Sequence, residues 1–282
     1  VVKNMFTKIN KLVILICVGV ALYYFYQQSL PGNLTGSFVA FLDVGQGDAI
    51  YIRTSNGSDV LIDGGPDRKI LEQLPKVLAP QDNTIELMLL THPDADHIDG
   101  LIEVVKRYSV KQIITTALPA EKSDYKELLN LIETKNIQHT VVQQGNKIVL
   151  GEQDDIDILY PEADTPLTTL STNNTSLVAE YHYKNQTTEK TILLVGDAET
   201  PVEDELLKQN LLHDVDILKV GHHGSKTSSS EAFLQKITPE LCIIEVGKDN
   251  SYGHPHAEVV HRLQQYCEIK RTDDWGNIVI NN

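Results

Sequence analysis

Between Thr91 and Gly100 the chain reads Thr-His-Pro-Asp-Ala-Asp-His-Ile-Asp-Gly, which sets His92, Asp94, Asp96 and His97 within six residues. Imidazoles and carboxylates crowded in this way repel or desolvate one another unless a cation joins them. A divalent metal turns that cost into binding free energy. It can also lower the pKa of a bound water enough to make a nucleophile at neutral pH. The bland alternative is a polar loop in which Asp94 or Asp96 caps a helix. Three more polar turns have the same setting. Asp63 ends Val60-Leu61-Ile62 and precedes Gly64-Gly65, Asp197 ends Ile192-Leu193-Leu194-Val195-Gly196, and His222-His223 follow Ile217-Leu218-Lys219-Val220-Gly221. Glycine beside each lets the backbone turn sharply or approach a ligand closely. Four such turns together point to one shared site.

Apolar runs predict the elements that position these turns. Residues 38–44, 49–54 and 60–63 read as strands, the last two joined by an Asn56-Gly57 hairpin signal. Helix 70–78 precedes a buried strand at 86–90, and helix 101–107 follows the His92–His97 cluster. Strand 112–115 and helix 125–135 come next, then a strand group between 139 and 195. Helix 201–209, strand 216–220, helix 231–236, strand 241–246 and helix 255–265 alternate after that, and residues 269–280 read as a closing hairpin. Two strand-rich halves with helices in each predict an α/β fold, a four-layer αββα sandwich whose polar loops gather at one edge of the sheets.

The chain has 282 residues, with 39 Asp plus Glu against 24 Lys plus Arg. That balance argues against a broad basic surface tracking nucleic-acid phosphates, though not against a nuclease, whose metals offset carboxylates locally. Cys17, Cys242 and Cys267 show no CxxC spacing and predict no disulfide framework; packing is the expected role of Cys17 and Cys242. Lys3, Lys8 and Lys11 precede an apolar run that ends in Tyr23-Tyr24-Phe25-Tyr26. This pattern predicts one N-terminal transmembrane helix within residues 1–28, with the rest of the chain outside the cytoplasm. A cleaved signal peptide followed by secretion is the rival, disfavoured because bulky aromatics stand where small cleavage-site residues belong. Residues 29–36 read as a linker and 37–282 as one domain.

These motifs carry a resemblance. Phe41-Leu42-Asp43-Val44-Gly45-Gln46-Gly47-Asp48, Leu61-Ile62-Asp63-Gly64-Gly65 and the run at 91–100 match in order. So do Asn173-Asn174-Thr175-Ser176-Leu177-Val178, Gly196-Asp197, the run at 218–225 and Tyr252-Gly253-His254-Pro255. The chain resembles the metallo-β-lactamase superfamily, and within it the hydrolase domain of ComEC/Rec2-type competence proteins. The resemblance implies a site of one or two divalent ions, zinc or manganese. It implies His92, Asp94, Asp96, His97, Asp197 and His223 as ligands, with Asp197 shared between the ions. Asp63 would orient the His92–His97 loop. Asp96 would also take a proton, and His222 and His254 would face the substrate, stabilising the transition state or protonating the leaving group. The wider superfamily carries histidine where Asp94 and Asn173-Asn174 stand, and this shift towards oxygen donors favours manganese over an all-imidazole zinc site. Ser225, Lys226 and Thr227 could bind a phosphate or form a solvated loop.

The expected function is an extracellular, membrane-anchored, metal-dependent hydrolase acting on a phosphodiester. DNA is the substrate to which the resemblance points; a cell-wall polymer such as a teichoic-acid substituent is the alternative. A non-catalytic anchored binding module is the reading from another class, against which the intact Asp96, His97, Asp197 and His223 speak.

Overall fold

The computed structural model describes residues 34, 36–119, 121–184 and 189–281. The predicted membrane segment, residues 1–28, and nearly all of the predicted linker lie outside the described residues. Among the described residues no helix is long and apolar enough to cross a membrane. Gly36–Asn282 forms one compact unit built on two seven-stranded sheets.

In the first sheet, β1 (Phe38–Phe41), β2 (Ile50–Arg53), β3 (Asp59–Ile62), β4 (Thr84–Leu89), β5 (Ser109–Thr115) and β6 (Gln138–Val141) lie in chain order. β14 (Ile278–Asn281) completes it beside β1. The second sheet runs from β7 (Lys147–Val149) through β8 (Asp154–Tyr160), β9 (Val178–Lys184), β10 (Glu189–Leu194), β11 (Ile217–Lys219) and β12 (Leu241–Ile244) to β13 (Glu268–Arg271). Each sheet is half antiparallel and half parallel. Pairing is parallel from β3 to β6 and from β10 to β13.

Parallel strands need crossover helices, and those helices cover the outer faces. α1 (Ile70–Val77), α2 (Ala95–Arg107) and α3 (Ser123–Thr134) follow β3, β4 and β5. α4 (Thr200–Lys208), α5 (Glu231–Ile237) and α6 (Ala257–Leu263) do the same for the second sheet. The period-2 geometry of strands sorts the side chains. In β10, Ile192 and Leu194 join Phe41, Ile52, Ile62, Ile217 and Ile243 in the core between the sheets. Leu193 instead packs with Val202, Leu206, Phe233 and Leu263 of the outer helices. The layers are therefore α, β, β, α, as the hydrophobic pattern predicts. The chemistry-bearing turns all follow the C-terminal ends of strands, where parallel sheets bind ligands.

Three expectations are corrected. The helix predicted at 101–107 begins at Ala95, so Asp96 and His97 stand in its first turn rather than on a free loop. The predicted closing hairpin does not form. β13 pairs with β12 in the second sheet, a short helix α7 (Thr272–Trp275) crosses over, and β14 pairs with β1 in the first. Apolar alternation reports two strands but not their partners, and here they tie the two sheets together. Cys242 is bonded to Cys267, with Cα atoms 5.8 Å apart, because β12 and β13 are parallel neighbours. A spacing of 25 residues says nothing about such a bridge; strand adjacency creates it.

The site end of the first sheet depends on close backbone packing. Gly64 N donates to His97 O at 2.8 Å, and Gly100 N donates to Gly65 O at 2.9 Å. A Cβ at Gly100 would stand 1.7 Å from Gly64 O. Gly100→Ala is therefore expected to destabilise the chain by about 1–3 kcal/mol or more through overpacking. Urea unfolding measures this, and a loss below about 0.5 kcal/mol would show that α2 can back away at little cost.

Candidate metal centre

Six residues predicted as ligands come together at the sheet ends. Asp197, at the turn after β10, places its Oδ2 3.4 Å from His97 Nε2, 3.4 Å from His223 Nε2 and 4.0 Å from His92 Nε2. Asp96 Oδ2 lies 3.3 Å from His223 Nε2, and Asp94 Oδ2 lies 3.5 Å from His92 Nε2. Asp96, His97, Asp197 and His223 hold donor atoms within 4.8 Å of one another, a spacing suited to a metal ion. His92 and Asp94, with Asp197, form a sparser set. Asp94 occupies the residue before α2, but its side chain makes no capping bond. It is turned instead towards His92 and Lys122.

The far sides of the rings decide what the near sides can do. His97 Nδ1 donates to Asp63 Oδ2 at 2.7 Å, and His223 Nδ1 donates to the Glu245 carbonyl at 2.8 Å. Thr91 Oγ1 donates to Asp63 Oδ2 at 2.6 Å, leaving its lone pair to accept from His92 Nδ1 at 3.1 Å. With every Nδ1 carrying its proton outward, each Nε2 presents a lone pair inward. Nε2 of His92 and His97 and Oδ1 of Asp197 are buried without a hydrogen-bond partner. Lone pairs facing a buried carboxylate need a cation, and the donor set of three imidazoles with three carboxylates fits a divalent ion. Without one, protons are drawn in. Burial opposes charge on His97 and His223, yet Asp197 raises both well above the ordinary histidine pKa, helped by Asp63 and Asp48 at His97 and by Asp48 at His223. Burial likewise opposes charge on Asp197, yet His223 and His97 hold it well below the usual carboxylate range.

His222 and His223 both sit in the left-handed region, at φ 47° and 52°. For two successive non-glycine residues this is strained backbone, a feature common at functional sites. The turn sends the His223 ring inward and the His222 ring to the wall of an open pocket of about 370 Å³. His222 Nδ1 lies 3.3 Å from Glu199 Oε1, and its Nε2 lies 4.0 Å from Asp197 Oδ2. Asn173, Asp96, His254 and Tyr252 line the same pocket. Asn174 instead holds Glu199, accepting from its N at 3.1 Å. His254 is pushed down to about 4 by burial and by the neighbouring His222, His223 and His256. Ser225 and Thr227 turn away from the pocket: their hydroxyls meet at 2.9 Å, and Thr227 Oγ1 donates to Glu199 at 2.6 Å.

Such a fold and donor set define a class. A profile of the Metallo-beta-lactamase superfamily matches residues 42–241, and the chain belongs to that superfamily. Within it, the chain is 32% identical to ComE operon protein 3 of Bacillus subtilis over 261 residues, covering 85% of this chain and 32% of that protein. It is 30% identical to Recombination protein 2 of Haemophilus influenzae, covering 95% of this chain and 31% of that protein. The chain thus spans about a third of the length of these relatives. Among solved structures, the metallo hydrolase Igni18 of Ignicoccus hospitalis superposes with a TM-score of 0.55 at 13% identity, covering 87% of this chain and 99% of Igni18.

Sequence reasoning missed the charges beneath the site. Lys219, fully buried, pairs with Asp48 and donates to the Gly196 carbonyl at 3.2 Å, with Asp197 Oδ1 3.9 Å away. Asp48 Oδ1 lies 3.3 Å from His223 Nδ1. Glu245, also fully buried, accepts from Ala49 N at 3.0 Å. Burial, with Asp48 close by, raises Glu245 well above the usual carboxylate range. A signal existed: a lysine inside the buried run Ile217-Leu218-Lys219-Val220 is out of place in a parallel strand unless paired. Lys219→Met removes that partner and leaves Asp48 charged and buried. The variant, stripped of metal, is expected to lose about 3–5 kcal/mol in denaturant unfolding. A loss below about 1 kcal/mol would show that Asp48 and Lys219 do not hold each other in place.

Proposed function

We propose that this chain is a metal-dependent phosphodiesterase, anchored by its N-terminus with the catalytic unit outside the cytoplasm, and that its substrate is DNA. The observation that carries the hydrolase reading is the convergence of three Nε2 lone pairs on Asp197 at the floor of an open, polar pocket. In this reading Asp96, His97, His223 and Asp197 would hold one divalent ion, and His92, Asp94 and Asp197 would hold a second. Such ions, when bound, polarise a phosphoryl oxygen and make water acidic enough to attack at neutral pH.

The chain's own groups supply the rest. Asp96, with its side chain 32% exposed, is open to both the ligand nest and the pocket, and it takes the proton of the attacking water. Glu199 and Asn173 fix the His222 ring at the pocket wall. There it donates to the phosphoryl oxygens and delivers the proton to the leaving oxygen. His254, held neutral at neutral pH, donates a hydrogen bond but is no reservoir for that proton. Asp63 and Glu245 fix the ring orientations of His97 and His223 from behind, a role whose loss lowers metal affinity about 10–100-fold.

The relatives named for the ComE operon and for recombination support DNA as the substrate. The Cys242–Cys267 bond supports an oxidising compartment, as expected beyond the cytoplasmic membrane. The test is turnover with Mn²⁺ or Zn²⁺ on single-stranded DNA, bis-p-nitrophenyl phosphate and phosphorylcholine esters. The first two are expected to be cut and the third not. Asp197→Asn and His97→Ala are each expected to remove nearly all turnover while keeping the far-ultraviolet circular dichroism of the parent. Near-parental rates in either variant would contradict the assignment.

A further inference from the structure

We propose that Tyr252 is a stacking platform for one unpaired nucleobase of a single-stranded polynucleotide. The proposal rests on the phosphodiesterase reading above and assigns the part of the substrate held beside the scissile phosphate. Tyr252 is 66% exposed, one of four large apolar side chains left open among the described residues, and it lines the pocket. Its ring lies nearly parallel to that of His254, with centroids 5.9 Å apart and planes at 23°. His254 in turn meets His222 edge-on at 5.3 Å. From the floor outward, His222, His254 and Tyr252 form a continuous aromatic series, and the last member keeps most of its surface free.

The loop that carries this ring is pinned. Asn250 Oδ1 accepts from Tyr252 N at 3.1 Å and from His254 N at 3.0 Å. Asn250 Nδ2 donates to the Gly247 carbonyl at 3.0 Å and to the His254 carbonyl at 2.6 Å. A pre-ordered, exposed aromatic face is suited to an incoming base, and stacking accepts any base because each has a π face. Bases inside a duplex already cover one another, so the ligand must be single-stranded or frayed. A quaternary ammonium headgroup fits worse. It needs several aromatic walls, whereas this pocket offers Tyr252 alone besides histidines. A net charge of −15 also argues against a long phosphate track, which puts the weight of holding a strand on short-range contacts.

The test measures equilibrium binding of the metal-loaded full chain to a short phosphorothioate-linked oligothymidylate and to an abasic strand of equal length. The parent and Tyr252→Phe are expected to bind the base-bearing strand about tenfold more tightly, and Tyr252→Ala to lose that preference. A 2-aminopurine placed in the strand is expected to be quenched by the parent and not by Tyr252→Ala. Equal affinity of the parent for both strands, or an unchanged preference in Tyr252→Ala, overturns the platform, as does displacement of the base-bearing strand by phosphorylcholine at equal concentration. Cleavage is read separately on ordinary phosphodiester strands. A chain that cuts none of them yet keeps the base preference refutes the phosphodiesterase reading and supports the platform.

Discussion

One carboxylate oxygen governs this site. Oδ2 of Asp197 has Nε2 atoms of His92, His97, His222 and His223 within 4.0 Å, and the group is almost wholly buried. In a low-dielectric setting such a cluster is tolerable only if positive charge joins it. Protons fill the need in the metal-free chain, where His97 and His223 are pulled to high pKa. A divalent ion fills it better, because it uses the lone pairs that the hydrogen bonds behind the rings have already turned inward.

The fold exists, in this sense, to hold that cluster together from two directions. The first sheet delivers His92, Asp94, Asp96 and His97 at the end of β4 and the start of α2. The second delivers Asp197 after β10 and His223 after β11. Neither half has a complete donor set. The interlock below the ligands is equally shared: Asp48 from the first sheet is neutralised by Lys219 from the second, and Ala49 N is accepted by Glu245. The crossover of α7 and β14 back to β1 closes the two sheets on each other. The left-handed pair His222-His223 and the contact of Gly64 with Gly100 show where backbone comfort is given up to fix side-chain direction.

Much of this was legible in the chain because it is written in local patterns. Strand and helix periods predicted the layers, and glycine-flanked acids and histidines after apolar runs predicted the residues that meet. An orienting role for Asp63 was what the family resemblance implied, and its carboxylate meets His97 and Thr91. What was not legible depends on which distant segments become neighbours. Lys219 and Glu245 look like flaws in apolar strands until Asp48 and His223 are brought beside them. Glu199 looks like a helix-start acid until His222 turns towards it. Asp94 reads as one more ligand, and its ion pair with Lys122, 28 residues on, appears only when the two segments meet. The Cys242–Cys267 bridge and the strand exchange of β13 and β14 are likewise products of strand adjacency.

The donor sets are unequal, and the position of Asp96, His97, Asp197 and His223 is the better furnished. The most direct measurement is the metal content of the purified chain after loading with Zn²⁺ or Mn²⁺ and exhaustive dialysis, followed by chelator titration. At least one tightly held equivalent per chain is expected, with any second equivalent leaving first. Metal content near zero under both loadings would contradict it.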